Sequence, residues 1–147
     1  NNIKLLAYKD TDISKITDTD LIKCINHNNM CIPQLIKMIH LDPQKPENHN
    51  IYISNLKNGY IMLYDGKKWN TLNRDDTIID MIDDKQNIIE EKIEDWVTKG
   101  KEYPELMKKF ERYLNKKEKN EILNKIKDEI KLMLYNNRNL IIDKLED

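Results

Sequence analysis

The sequence predicts an α+β domain, and three observations predict it. Two turn dipeptides, Asn58-Gly59 and Asp65-Gly66, divide a stretch rich in β-branched and aromatic residues between 51 and 72, the pattern of a three-stranded antiparallel meander. From residue 75 onward, isoleucine and leucine recur at helical spacing, which reads as three amphipathic helices. Ahead of the meander, capping residues and prolines frame two shorter apolar stripes, which read as two short helices.

Residues 1–16 are expected to be an extended or irregular lead-in, anchored by Tyr8, Ile13 and Ile16. Thr17-Asp18-Thr19-Asp20 then supplies capping oxygens ahead of Leu21, Ile22, Cys24 and Ile25, so a short helix is expected near 19–27. Pro33 suits the first turn of the next helix. Ile32, Leu35, Ile36 and Ile39 form its stripe, and Pro43 and Pro46 require it to stop near His40. Residues 41–50 have two prolines and no apolar period, which leaves a loop. In the meander, strand alternation sends Tyr60, Met62 and Tyr64 to one face and Ile61 and Leu63 to the other. Asp75-Asp76 opens a helix at its favourable N-terminal end. Ile78, Ile82, Ile89, Ile93, Trp96 and Val97 line it, and Gly100 stops it. Tyr103-Pro104-Glu105 restarts a helix striped by Leu106, Met107, Phe110, Tyr113 and Leu114. A third, over roughly 118–135, carries Ile122, Ile126, Ile130, Met133 and Leu134. A last short segment begins at Leu140. No repeat or linker splits the chain, so 1–147 is one domain.

Composition sets outer limits. The 147 residues carry 25 Lys plus Arg against 26 Asp plus Glu, a net charge of −1, which argues against a generic basic protein that coats nucleic acid. No apolar run is long enough to cross a membrane as a helix. Mean hydropathy is −0.79 with 39% apolar residues, enough to build a core. Ile, Asn and Lys number 22, 18 and 22. Adaptation to heat would deplete Asn, so this is an AT-rich coding bias, and it discounts any argument from lysine or asparagine abundance. The absence of an initiator methionine suggests a piece of a longer protein, and no signal peptide precedes the first element.

The search for chemistry yields little. Cys24, His27, Cys31 and His40 are residue types that zinc accepts, but their spacing matches no standard finger, and two reduced thiols are the plainer reading. His40-Leu41-Asp42-Pro43 with Glu47-Asn48-His49-Asn50 faintly resembles part of an HNH nuclease motif, in which a His activates water beside a metal. The partner His at the first strand is missing, and a strand follows where that motif enters a helix. The plainer reading is a hydrogen-bonded loop fixing the path into the strand. Tyr52, Tyr64 and Trp69 either stack bases on an open sheet or pack against helices. Nucleophile elbow and glycine-rich phosphate loop are both absent. The expectation is a protein that is no enzyme and uses no cofactor.

The string Pro46-Glu47-Asn48-His49-Asn50-Ile51-Tyr52-Ile53-Ser54-Asn55, with Tyr60-Ile61-Met62-Leu63-Tyr64-Asp65-Gly66-Lys67-Lys68-Trp69, resembles a C-terminal domain that recurs in uncharacterised proteins of mimivirus-type giant DNA viruses. Tyr8 to Asp12, Cys31 to Ile36 and Ile130 to Arg138 extend the resemblance over nearly the whole chain. It implies a domain that follows a coiled coil and often a zinc finger, in the host cytoplasm (the viral factory) or the virion. The expected function is a non-catalytic protein-interaction or oligomerisation module, because the helical stripes exceed what a small sheet can cover. Its expected partner is another protein or a second copy, with nucleic acid engaged through a region ahead of residue 1. The alternative is a nucleic-acid-handling domain, either a base-stacking sheet or a degenerate HNH-like nuclease.

Overall fold

The computed structural model describes residues 4–145. Its elements are α1 (Asp18–Ile25), α2 (Cys31–His40), β1 (Ile51–Tyr52), β2 (Tyr60–Tyr64), β3 (Trp69–Asn73), α3 (Arg74–Thr98), α4 (Pro104–Lys117), α5 (Asn120–Asn136) and α6 (Asn139–Leu145). The expected α+β class is what forms. Short 3-10 turns at Tyr8–Asp10, Asn28–Met30 and Pro46–Asn48 are added, so neither the lead-in nor the 41–50 loop is wholly irregular.

Local signals account for the helix ends. Thr17 accepts from Asp20 N while the Asp20 carboxylate accepts from Thr17 N, a reciprocal capping box. Asn73 accepts from Asp76 N and caps α3. Gly100 (φ +72°) closes α3: Lys101 N donates to Trp96 O at 2.8 Å and Gly100 N to Val97 O at 3.1 Å, the paired bonds of a left-handed helix stop.

The helices assemble around α2. This helix buries Cys31, Ile32, Pro33, Leu35, Ile36, Ile39 and His40, apolar nearly all round as a central helix must be. It packs on α1, α3 and α5, and α4 closes against α1 and α5. The long stripes are consumed internally. Ile78, Ile82, Ile89 and Trp96 of α3, and Ile126, Ile130 and Leu134 of α5, join one core. Val97 departs from expectation at 59% exposed, and Ile13, expected to anchor the lead-in, is 43% exposed.

The sheet has order β1-β2-β3, antiparallel throughout, with Tyr52 opposite Met62 and Tyr64 opposite Trp69. The β2–β3 turn is the expected tight one: Gly66 has φ +101°, and Asp65 Oδ1 accepts from Lys67 N and Lys68 N. The β1–β2 connection is not. It takes seven residues, 53–59, and neither Asn58 nor Gly59 has positive φ. Asn55 and Asn58 instead turn the chain with their side chains, accepting from Lys57 N at 2.8 Å and Tyr60 N at 3.1 Å. Strand β1 is correspondingly short, two residues at the start of the expected 51–72 meander, because Ile53 N turns to Leu134 O of α5.

Candidate functional site

The residues singled out by sequence fall into a buried corner and an open face. The corner joins the end of α2 to the start of β1. His40 is fully buried, and its Nδ1 lies 3.1 Å from Asn48 O and 3.0 Å from Asn50 Oδ1. Asn50 Nδ2 donates to Leu6 O and Thr11 Oγ1, so its oxygen faces the ring and His40 Nδ1 is the donor. Asn48 brackets the backbone of Asp12, accepting from its N–H at 3.0 Å and donating to its carbonyl at 2.8 Å. His49 Nε2 donates to Asp42 O at 2.8 Å, Glu47 O accepts from Leu6 N, and the Glu47 carboxylate lies 3.8 Å from Lys15. The Tyr8 ring stacks on His40 at 5.3 Å. Glu47, Asn48 and Asn50 thus bind the lead-in to the core, while His49 closes the 41–50 loop on itself. His40 faces this network and no solvent, as a structural group does.

Beneath Tyr8 sits a residue that the sequence pattern did not single out. Lys85 of α3 is 4% exposed, its ammonium 3.2 Å from Tyr8 Oη and 4.9 Å from the ring centroid. Burial pulls its pKa down to about 8, with Asp84 opposing, and burial pushes the Tyr8 hydroxyl up. Its position on the apolar side of α3, one turn beyond Met81 and before Ile89, was the available signal. The folded-state value lies below the unfolded one, so Lys85 contributes a climb in stability as pH rises from about 8 toward 10.4, set against the falls contributed by Cys24, Cys31 and Tyr8, whose folded values lie above their unfolded ones. Lys85→Met should remove that climb. At neutral pH it should gain ~1–2 kcal/mol, desolvation relief exceeding the lost hydrogen bond. Thermal denaturation of both proteins at neutral and alkaline pH reads this, and a destabilised Lys85→Met would refute it.

The zinc candidates are not brought together. Cys24 and Cys31 are buried, and burial pushes both thiols up to about 12; the Cys24 thiol points at Met38 Sδ, 3.5 Å away. His27 is on the exposed surface and His40 belongs to the corner. Among the described residues, no three His, Cys, Asp or Glu side chains converge to hold a metal.

The open face is the outer side of the sheet. Ile51 and Ile61 on the inner side belong to the core and Leu63 packs against it, whereas Tyr52, Tyr64 and Trp69 lie outside that cluster. They pack on one another instead: Tyr52 meets Trp69 edge-on at 5.0 Å, and Tyr64 meets Trp69 at 5.4 Å. Tyr52 is buried in this cluster, Tyr64 and Trp69 are half-buried, and Tyr60 further along the same face is 55% exposed. Residues 53–74 hold four cations (Lys57, Lys67, Lys68, Arg74) against one carboxylate, Asp65. Helix α3 carries the opposite balance, nine carboxylates against three cations. The near-zero net charge therefore conceals a basic sheet beside an acidic helix.

The sheet thus presents an open, basic, aromatic face on a helical body, while His40 and His49 are buried in the corner. The chain belongs to the D5 N terminal like family, whose model matches residues 36–147, a viral domain of primase/helicase-like proteins. The Pro46 to Asn50 string lies inside the match. Residues before 36 lie outside it, yet Leu21, Cys24, Ile25, Cys31, Ile32 and Leu35 complete the core. No curated protein and no solved structure matches the chain.

Proposed function

We propose that the chain is a non-catalytic accessory domain of a viral primase/helicase-like protein and holds single-stranded nucleic acid on the outer face of its sheet. The supporting observation is the pair Tyr64 and Trp69, half-exposed on that face and flanked at the hairpin tip by exposed Lys67 and Lys68. Aromatic rings stack on any base, and lysines beside them meet the backbone, so such a surface tolerates sequence. The family's primase/helicase-like setting supplies a substrate of this kind. Its setting is the host cytoplasm or the virion, and the giant-virus origin rests on the Pro46 to Asn55 string.

Fluorescence anisotropy of a labelled oligothymidylate tests the reading. Trp69→Ala should weaken binding by about tenfold, and replacing both Lys67 and Lys68 by Ala should reduce the salt slope by about 1.4. Absence of binding at about 50 mM salt, or binding indifferent to both variants, rejects it.

The protein-interaction or oligomerisation reading retains one observation, the exposed Val97, Leu132 and Ile79 on α3 and α5. Those side chains are scattered singly, which ordinary surfaces tolerate, and the stripes that motivated the reading are buried in the chain's own core. Sedimentation that found a dimer weakened by Val97→Asp or Leu132→Asp would favour it.

A further inference from the structure

A cleft of about 520 Å³ opens between the start of α3 and the middle of α5, lined by Gly59, Asn73, Arg74, Ile78, Asn124, Lys127 and Lys131 together with Asp75 and Asp128. We propose that this cleft binds a phosphate group, and that the backbone of a polynucleotide crossing the sheet is its source. The phosphate site stands on the observations below, while its assignment to a polynucleotide backbone rests on the sheet reading.

The first ground is a buried charge with no ion pair. Arg74 is 7% exposed, and every acceptor its guanidinium finds is neutral. Nε donates to Tyr60 O at 3.1 Å, and Nη2 to Asn55 O at 2.7 Å and more weakly to Asn58 Oδ1 at 3.5 Å. Nη1 reaches Leu56 O at 3.4 Å. Among the described residues it forms no ion pair. The one carboxylate whose charge acts on it, Asp75, is 76% exposed and turned to Lys127, so the buried cation is weakly countered and costly, and an anion in the cleft would answer it.

The second ground is the wall opposite. Lys127 and Lys131, one turn apart on α5, are 20% and 35% exposed and line the same cleft as Arg74. Their present partners sit on the rim: Asp75 is 76% exposed and 3.6 Å from Lys127, Asp128 is 69% exposed and 3.5 Å from Lys131. Ion pairs so exposed hold little free energy, so either lysine can turn to a phosphate. The positive end of the 25-residue helix α3 adds to the same field. The cleft also joins the open face, because Asn73 pairs with Tyr60 across β2 and β3 and Gly59 precedes Tyr60. A strand whose bases lie on Tyr60, Tyr64 and Trp69 would carry its backbone toward Lys127.

Amide NMR of the full chain, titrated first with inorganic phosphate and then with oligothymidylate, tests this. Phosphate should give saturable shifts at Gly59, Asn73, Arg74 and Asp75, and the oligonucleotide should saturate them at a concentration about tenfold or more lower. Replacing Lys127 and Lys131 together by Ala, both partly exposed and so compatible with folding, should weaken both responses by about tenfold. No saturable shift with either probe, or shifts unchanged in the double variant, overturns the proposal. Oligonucleotide shifts confined to Tyr64 and Trp69 leave the sheet reading standing and overturn the cleft. A cleft that answers phosphate while the oligonucleotide binds nowhere upholds the phosphate site, assigns it to free phosphate and removes the sheet reading.

Discussion

Replacing Asn48 by Ala is expected to lower the unfolding free energy by about 2–4 kcal/mol, a large part of the ~5–15 kcal/mol available to a domain of this size. Asn48 is fully buried and makes both bonds to the Asp12 backbone, while its own carbonyl accepts from His40. Truncation leaves the Asp12 amide and carbonyl without their partner and opens a cavity beneath the lead-in. Urea denaturation of the variant reads the loss, with Asn115→Ala, at an exposed position of α4, as a control expected within about 0.5 kcal/mol of wild type. If both variants behave alike, the corner does not hold the lead-in, and Pro46 to Asn50 do not tie it to the core. The corner predicts a second signature: amides of residues 5–12 should exchange faster in Asn48→Ala, because local opening then precedes global unfolding.

Mild acid is expected to destabilise the protein through the same corner. Burial holds His40 well below the ordinary imidazole value, against its bonds to Asn48 and Asn50, and holds His49 below it as well. Each is neutral when folded and accepts a proton near pH 6.5 when unfolded. The unfolded state therefore binds more protons in this window. Stability present above about pH 6.5 falls as pH drops toward the folded values, by up to ~1.4 kcal/mol per pH unit for each histidine. The two most strongly held carboxylates titrate below this window. Asp18, bonded to Lys92, and Asp65, bonded to the hairpin amides, are held near 2, and their unfolded counterparts titrate near 3.9. Denaturant midpoints between about pH 7 and pH 5 measure the slope, and His49→Gln should reduce it. A flat profile over that range would mean that the imidazoles are not sealed from protons as the structure places them.

How much of this was legible in the sequence can be judged from particular residues. Thr17 with Asp20, Gly66 and Gly100 act through bonds to neighbours within a few positions, so their roles as cap, turn and stop could be read directly. The stripes Ile78–Ile82–Ile89 and Ile126–Ile130–Leu134 were legible because one buried face imposes its period on the chain. The Asn58-Gly59 turn misled, because Arg74, fourteen residues and more away, holds residues 55–60 in a wider loop through their carbonyls. Tyr52, Tyr64 and Trp69 were identified as a group, but their side of the sheet was not, since alternation gives two faces and only packing tells which one the helices take.

By itself, then, the sequence determined the α+β class, the order of the elements and nearly all of their ends, since these follow from local capping, turn chemistry and hydrophobic period. Tertiary structure alone decided the rest. It turned His40 and Asn48 to Asn50 into a sealed corner, buried Lys85 under Tyr8, and buried Arg74 without an ion pair beside Lys127 and Lys131. The physical reason is common to all three: burial and pairing depend on which groups lie within a few ångströms in space, and these groups lie from eight residues (His40 and Asn48) to seventy-seven (Tyr8 and Lys85) apart in the chain.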